Sequence, residues 1–442
     1  MHVMLEVHYI MCYRFTRTGA RGRVEGVTYR LRTLDHQLDE LLGVAPAVAI
    51  EGPKGVGKTA TARRRAGSAW MLDDEDQRSL LSADLAFLRN AEGTTLIDEW
   101  QKLPQVWDAV RRRVDDQAPP GSFLLTGSAT PASSQGTHSG AGRILSLRMR
   151  PMALYERGDA IPTVSLGELL QEERPDIEGF TEFGVADYLE AVEASGFPGI
   201  TSRSAHYRED LLEAYVQRVI DRDLPDLGFT SRRPEVLRRW LTAYAAASSS
   251  NTKYSEILDA TTAGDGHQPA KGTTIAYRDH LTQLWLLDPT PGWSPSLNPF
   301  ARLQQAPKHQ LADPALAARL LNLNAKRLSS PRGAYMAGPL FESLATLGVK
   351  VAAQAARARV GHLRTRNGDH EVDLIVEGRE GQIVGIEVKL SASVDSSDVK
   401  DLLWLKEHMK DDVADLIVLT TGKYAYRRQD GVAVVPLALL GA

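Results

Sequence analysis

The sequence has few of the residues that several protein classes require. Its one cysteine, Cys12, excludes a framework of disulfide bonds and cysteine-rich zinc sites. No apolar run approaches the roughly 20 residues that span a bilayer, so we expect no membrane partner. The first apolar stretch is interrupted by Glu6 and His8 and lacks a small-residue cleavage site, which does not fit a secretory signal. These absences favour a cytoplasmic protein.

Strong net charge is also absent. The chain of 442 residues carries 52 Lys and Arg against 56 Asp and Glu, a formal net charge of -4. This balance excludes a general polycation, so any contact with nucleic acid requires local basic patches. With 43% hydrophobic and 24% charged residues, the composition is that of an ordinary globular protein of several domains.

Pattern changes along the chain predict four segments. Residues 1–26 mix Met, His and aromatic residues without a period, and we expect a poorly ordered extension that precedes the folded protein. Residues 27–158 alternate short buried strands with helices, which predicts an α/β fold with a parallel sheet. Residues 159–330 are mostly helical and contain two short helices and a turn-rich strand, typical of a winged helix-turn-helix. Residues 331–442 predict a small α/β domain.

A phosphate-binding loop is the most specific motif. GPKGVGKT fits G-x-x-x-x-G-K-[ST] in full, between a predicted strand and a predicted helix. Its glycines let backbone N–H groups converge on phosphate oxygens. Lys58 is predicted to reach the β- and γ-phosphates of ATP, and the Thr59 hydroxyl to hold Mg²⁺. The alternative, a glycine turn with a coincidental lysine, fits this setting poorly. The predicted ATP-binding residues are Gly52, Pro53, Lys54, Gly55, Val56, Gly57, Lys58 and Thr59.

The second half of a nucleotide site follows two later strands. TTLIDEW ends in Asp98, predicted to bind magnesium directly or through water, and Glu99, predicted to orient or deprotonate the attacking water. Both acids could instead cap the next helix. FLLTGSAT places Thr126 or Ser128 near the γ-phosphate as a polar sensor. Arg143 is a candidate arginine finger or nucleotide sensor, and equally a candidate surface arginine.

The order of these motifs resembles prokaryotic AAA-type ATPases that carry a C-terminal domain of unknown function. GPKGVGKT, LIDEWQKLP, FLLTGSA and GRILSLRMRPMALYE occur in that order, and the resemblance continues through TIAYRDHLTQLWLLDPTPGW and LADPALAARLL. It covers nearly everything from about Val27 onward. It implies a P-loop NTPase domain, then a helical and winged-helix region, then a small restriction-endonuclease-like domain. The implied cofactors are ATP and Mg²⁺.

A hairpin near the C-terminus, EVDLIVEGREGQIVGIEVK, places charged residues among valines and isoleucines. Period two puts Glu387 and Lys389 on one strand face with Asp373, opposite Val372, Leu374 and Val376 in the first strand. This set resembles the D…E-x-K core of restriction-endonuclease-like nucleases, in which two carboxylates hold Mg²⁺ and a lysine orients water. Glu342, on the preceding helix, matches a further acid of that fold. The alternatives are a surface ion pair or an inactive nuclease fold.

Two sets of polar residues are candidates for contact with DNA. One is an arginine cluster that could neutralise phosphates beside the D…E-x-K residues, and the other lies in the winged-helix candidate. For both sets a solvated or packing face is the alternative. The first set is Arg357, Arg359, Arg364 and Arg366, and the second is Lys271, Thr273, Thr274, Tyr277 and Arg278.

Together these patterns predict a Mg²⁺-dependent ATPase whose nucleotide state controls a DNA-facing C-terminal domain. Two alternatives stay open: a nucleotide-controlled nuclease, and a nucleotide-gated module that binds DNA or a protein partner with negligible turnover. Candidate partners besides ATP are therefore double-stranded DNA and a protein. The candidate catalytic residues are Lys58, Glu99, Asp373, Glu387 and Lys389, and the candidate metal ligands are Thr59, Asp98, Glu342, Asp373 and Glu387.

Overall fold

The computed structural model describes residues 29–88, 93–128, 141–171, 174–231, 233–262, 269–295, 305–365 and 368–442. The chain divides into two compact units, Met1–Met149 and Arg150–Ala442. The predicted extension at residues 1–26 lies outside the described residues. The division into four segments stays a prediction. None of the described helices has the length and apolar character needed to cross a membrane.

A five-stranded parallel sheet organises the first unit. Its strand order is β2-β3-β4-β1-β5. The strands are β1 (Ala47–Glu51), β2 (Ser68–Met71), β3 (Thr95–Asp98), β4 (Phe123–Gly127) and β5 (Leu145–Arg148). The helices are α1 (Thr33–Val44), α2 (Lys58–Arg63), α3 (Glu75–Ala83) and α4 (Gln105–Asp115), with 3₁₀ turns at Leu85–Leu88 and Trp100–Lys102.

The central strands explain where the predicted nucleotide site of the first unit forms. Strands β1, β3 and β4 are buried along almost their whole length, which is why they read as continuous apolar runs. Each fully buried aliphatic side chain contributes roughly 1.5–3 kcal/mol to this core. Because the strands are parallel, their carboxyl ends share one edge, where Glu51, Asp98 and Gly127 are the last strand residues. Ligand sites in such sheets form outside this edge.

The second unit contains an eight-stranded mixed sheet. Its order is β7-β13-β14-β12-β11-β10-β9-β8, and β6 pairs separately with β15. The strands are β6 (Val164–Ser165), β7 (Gly179–Phe180), β8 (Gly292–Trp293), β9 (Arg359–Arg364), β10 (Glu371–Glu377), β11 (Ile383–Val388), β12 (Val413–Thr420), β13 (Tyr424–Arg427), β14 (Ala433–Pro436) and β15 (Leu440–Gly441). Strands from both sides of residue 330 therefore share one sheet.

Helices make up most of the second unit before residue 356, and one further helix follows that point. They are α5 (Leu166–Leu169), α6 (Val185–Ala194), α7 (Pro198–Thr201), α8 (Ala205–Arg218), α9 (Leu224–Asp226), α10 (Pro234–Ala246), α11 (Tyr254–Thr261), α12 (Lys271–Gln283), α13 (Pro314–Leu320), α14 (Ala325–Leu328), α15 (Ala334–Ala355) and α16 (Lys400–Met409). A π-helical turn, Val219–Asp223, joins α8 to α9. Short 3₁₀ turns lie at Leu154–Glu156, Lys410–Asp412 and Leu437–Leu439.

The charged hairpin is β10 and β11, and it is more buried than its sequence suggested. Helix α15 packs against β9 and β11, and α16 packs against β10, β11 and β12. The pairing of β10 with β9 shifts register between Val372 and Ile375. Both residues belong to one buried cluster with Leu402 and Leu405 of α16. The strict period-two prediction for β10 is therefore wrong, because a bulge changes the alternation locally.

Candidate functional site

The phosphate loop of the first unit runs from the end of β1 to the start of α2. Gly55 and Gly57 have φ angles of 81° and 105°, in the left-handed region that favours glycine. Gly57 is the residue directly before α2, which begins at Lys58. The backbone therefore has the conformation that the G-x-x-x-x-G-K-[ST] pattern predicts.

Lys58 is buried beneath this loop. Its side-chain nitrogen donates hydrogen bonds to the carbonyl oxygens of Gly52 and Pro53, each at 2.8 Å. Burial lowers the pKa of Lys58 to about 8, and the carboxylates of Glu99 and Asp98 oppose this shift. The ammonium thus lies inside the loop and close to both acids at the carboxyl end of β3.

Asp98 accepts hydrogen bonds from the hydroxyl groups of two threonines. Thr59 Oγ1 donates to Asp98 Oδ1 at 2.7 Å, and Thr126 Oγ1 donates to the same oxygen. Burial raises the pKa of Asp98, and these two hydrogen bonds oppose the increase. Since the Thr59 proton is directed at Asp98, the lone pairs of its oxygen are available to a cation.

Glu99 is held by a separate pair of polar groups. Ser128 Oγ donates to Glu99 Oε2 at 2.9 Å, and the Gln101 amide donates to that oxygen as well. Gln101 also reaches Ser128 Oγ at 3.1 Å, which closes a three-membered network. Glu99 has a φ of 53°, a conformation that costs a non-glycine residue on the order of 1 kcal/mol. A strained residue whose carboxylate is fixed by two donors is a typical arrangement for a functional acid.

Arg143 lies away from these residues within the first unit. It precedes β5, and the carboxyl end of β5, Arg148, pairs with Glu51 at the loop edge. The four-residue strand is about 13 Å long at 3.3 Å per residue, so Arg143 is near the opposite edge of the sheet. Its Nε forms an ion pair with Asp115 at 2.6 Å, at the end of α4. This position does not suit a sensor for a nucleotide bound by the same chain, and a role across a subunit interface stays a prediction.

Gly52 offers a direct test of the loop geometry. A Cβ added there would lie 2.1 Å from the carbonyl oxygen of Met149, and its φ is 153°. We expect Gly52→Ala to destabilise the first unit by about 2 kcal/mol or more and to weaken nucleotide binding, because backbone atoms must move. Thermal unfolding and nucleotide titration measure both effects. Gly43→Ala is the matched control, since no atom lies within 4 Å of its added Cβ. Wild-type behaviour of Gly52→Ala would contradict this loop placement.

The second unit brings the predicted D…E-x-K residues together around a lysine that the sequence did not single out. Lys308 Nζ lies 2.7 Å from Asp373 Oδ1, 3.1 Å from Glu342 Oε1 and 3.4 Å from Glu371 Oε1. The Lys308 side chain is 2% exposed. We call Glu342, Glu371, Asp373, Glu387, Lys308 and Lys389 the acidic cluster.

Glu387 and Lys389 form the other half of the acidic cluster. Lys389 Nζ lies 3.0 Å from Glu387 Oε1, and its side chain is 34% exposed. Glu387 Oε2 is buried and has no hydrogen-bond partner among the described residues. Asp373 Oδ2 accepts a hydrogen bond from the Val388 amide at 2.9 Å, which ties the two strands together at this point. The ion pair predicted as the alternative is therefore present, but it is partly buried beside Asp373.

The electrostatics of the acidic cluster favour the protonated forms of Glu342 and Glu387. Burial and the charge of Asp373 raise the pKa of both Glu342 and Glu387 to about 8. The surrounding carboxylates outweigh burial at Lys308, so its pKa is raised. Among the described residues, no group of three or more His, Cys, Asp or Glu is arranged to hold a metal ion.

Glu387 makes the stability of the second unit depend on pH. The pKa of this carboxyl rises from an ordinary 4.5 to about 8 on folding, through burial first and then Asp373. A raised folded-state pKa contributes stability that is complete below the unfolded value and is lost as pH rises through the folded value. We therefore expect stability to fall between pH 5 and pH 8, and Glu387→Gln to flatten that fall. Melting temperatures across this range measure it, with Glu380→Gln, an exposed turn residue, as control. An unchanged slope in Glu387→Gln would contradict this assignment.

Three residues of these sites were missed from the sequence, and one of them, Glu371, precedes Asp373 by two positions in the same strand. Gln101 follows Glu99 by two positions, and the only signal was its place in LIDEWQKLP. Lys308 carries no local signal, because its partners Glu342 and Asp373 lie 34 and 65 residues away in the chain.

Some of the residues predicted to face DNA are exposed and others are buried. Arg357, Arg359 and Arg364 are exposed, whereas Arg366 lies outside the described residues. In α12, Tyr277 is 3% exposed and packs against the rings of Phe229 and Trp240, so it does not face a groove.

Comparison with known proteins gives a described domain type for the first unit only. The family described as AAA domain matches residues 44–157. Two families described as domains of unknown function, DUF8612 and DUF4143, match residues 185–327 and 337–440. An uncharacterized protein of Mycobacterium bovis and one of Mycobacterium tuberculosis are each 26% identical over 428 residues, which is 94% of this chain and 85% of the relative.

Similarity to solved structures is low. A Walker-type ATPase of Pyrococcus abyssi is 16% identical with a TM-score of 0.37, over 65% of this chain and 94% of that chain. The Drosophila ORC bound to DNA is 12% identical with a TM-score of 0.20, over 65% of this chain and 94% of that chain. Scores of this size do not establish a shared fold.

The AAA match, together with the parallel sheet and the phosphate loop, supports a P-loop AAA-type ATPase domain in the first unit.

Proposed function

We propose that the first unit binds ATP with Mg²⁺ and hydrolyses it. The observation that carries the proposal is the meeting of Lys58, the Thr59–Asp98 pair and Glu99 at the carboxyl edge of one parallel sheet. Glycines with positive φ precede the lysine, as a close approach of the backbone to phosphate requires. The donor set is hydroxyl and carboxylate oxygen, which suits Mg²⁺.

Each residue has a distinct role in this proposal. Lys58 exchanges the loop carbonyls for the β- and γ-phosphates and neutralises their charge. Asp98 orients the Thr59 hydroxyl toward the cation and supplies a carboxylate beside it. Glu99 holds the attacking water through the oxygen that Ser128 and Gln101 leave open. Bound Mg²⁺ supplies Lewis acidity and neutralises phosphate charge.

Replacement of Lys58 tests this function. Lys58→Ala should remove most ATP binding and reduce phosphate release to background, because the loop then has no buried cation. Lys102→Ala is the matched control, since Lys102 is an exposed lysine of the same unit that follows β3. Phosphate release and fluorescent-nucleotide titration separate binding from turnover. Wild-type turnover in Lys58→Ala would contradict the proposal.

We also propose that the second unit carries a restriction-endonuclease-like domain that faces DNA. Support comes from helix α15, antiparallel strands β9 to β11, helix α16 and parallel strand β12, with Asp373, Glu387 and Lys389 near adjoining strand ends. The exposed Arg364, which is in register with Glu371 at the same end of β10 as Asp373, supplies positive charge nearby for phosphates. The winged-helix assignment, based on α11 and α12, and the cytoplasmic location belong to this proposal as well.

We propose that ATP controls DNA binding, and the presence of both candidate sites in one chain motivates this. Fluorescence anisotropy with double-stranded DNA measures affinity with ATP and Mg²⁺ and without nucleotide. We expect the two affinities to differ and Arg364→Ala to weaken binding. Equal affinities in both states would contradict nucleotide control. Absence of DNA binding, or binding that changes neither with salt nor in Arg364→Ala, would contradict the DNA-facing assignment.

A further inference from the structure

Lys308 occupies the centre of the acidic cluster in a fixed position. Its backbone N–H donates to Thr290 O and its carbonyl accepts from the Thr290 N–H, both at 2.9 Å. The next residue, His309, donates its backbone N–H to Ser250 O at 2.9 Å. The backbone on both sides of the side chain is thus anchored, and the side chain is 2% exposed. The ammonium therefore lies at a buried position on a backbone segment that is held on both sides.

The ammonium has the contacts of a bound cation. It lies 2.7 Å from Asp373 and 3.1 Å from Glu342, two of the three acids that the D…E-x-K resemblance assigns to metal. These are hydrogen-bonding distances, whereas Mg²⁺ requires oxygen ligands at about 2.0–2.1 Å. The carboxylates are spaced around a nitrogen rather than around a metal ion.

The acidic cluster already contains two cations of its own. Two ammonium groups, Lys308 and Lys389, face four carboxyl groups, Glu342, Glu371, Asp373 and Glu387. A divalent ion would therefore add positive charge beside a buried ammonium, which Coulomb repulsion opposes strongly at low dielectric.

We propose that Lys308 is a resident cation that takes the place of the divalent metal in this cluster, so that the second unit does not cleave phosphodiesters. Residues of a nuclease site are present, but they do not fit Mg²⁺ while Lys308 lies among them. This inference is independent of ATP hydrolysis by the first unit. It favours the inactive form of the nuclease-like domain over a nucleotide-controlled nuclease.

The native protein provides the first test. Mn²⁺ binding to nucleotide-free wild type is measured by electron paramagnetic resonance and compared with Asp373→Asn. Asp98→Asn accounts for any ion bound in the first unit. We expect wild type and Asp373→Asn to agree within twofold in affinity and in the number of ions bound. An ion that is lost in Asp373→Asn, or plasmid cleavage that depends on Asp373, would overturn the proposal.

Removal of the ammonium provides the second test. Lys308→Met keeps the length of the side chain and removes its charge. If this variant folds, as judged by circular dichroism, we expect it to bind Mn²⁺ at least tenfold more tightly than wild type. The added Asp373→Asn change should abolish that gain. A folded Lys308→Met protein without increased Mn²⁺ affinity would contradict the placement of Lys308 at a metal position. If Lys308→Met does not fold, the comparison of wild type with Asp373→Asn decides the question.

Discussion

Replacement of Glu99 by Gln is expected to lower the rate of ATP hydrolysis roughly 100- to 1,000-fold. The variant keeps the size of the side chain and removes the group that accepts the proton of the attacking water. ATP affinity should stay within a few-fold of wild type, because Lys58 and the loop backbone are unchanged. Single-turnover phosphate release measures the chemical step, and equilibrium nucleotide titration measures binding.

Two further variants make this result specific. Glu75→Gln, an exposed acid in the first turn of α3, should behave as wild type. Ser128→Ala removes one of the two donors to Glu99 and should give a smaller loss, on the order of tenfold, with ATP affinity retained. If Glu99→Gln hydrolysed ATP at the wild-type rate, Glu99 would not be the catalytic acid–base group. If wild type itself had no turnover, the nucleotide-gated module would be favoured.

Lys308→Ala is expected to lower the free energy of unfolding of the second unit by about 3–5 kcal/mol. The change leaves Asp373 and Glu342 buried without their ammonium partner. Such a group neutralises by taking up a proton, so the loss should be larger at pH 8 than at pH 5. Urea unfolding at both pH values, followed by circular dichroism, measures this difference.

Lys389 supplies the matched comparison within the same cluster. It contacts Glu387, but its side chain is 34% exposed, so water screens the charge that remains in Lys389→Ala. We expect a loss of no more than about 1 kcal/mol. Equal losses in Lys308→Ala and Lys389→Ala would show that Lys308 is not the main counter-ion of the buried acids.

The sequence predicted the parts of the first unit whose signals are local. The three central strands appear where their apolar runs lie, and α2 begins at the lysine of the phosphate-loop motif, where a helix was predicted. The outer strands β2 and β5 were not predicted. SAWM and LSLR are partly exposed edge strands, so they lack the continuous apolar character of a central strand.

The site residues were also predictable only where their sequence signal is local. Lys58 and Thr59 are fixed by a motif, and Asp98 and Glu99 by their place at a strand end. Arg143 has no such constraint, and its ion pair with Asp115 depends on the path of the chain around the sheet. Lys308 reaches the acidic cluster through a pairing with Thr290 and acids far along the chain. No local pattern specifies a contact of that kind.

Phosphate release by the wild-type protein tests the central claim most directly. ATP is titrated with Mg²⁺ present and again after addition of a chelator. The account predicts release that saturates with ATP and stops when Mg²⁺ is removed. Saturable ATP binding without phosphate release above background, with Mg²⁺ present, would contradict the claim that this site is an ATPase.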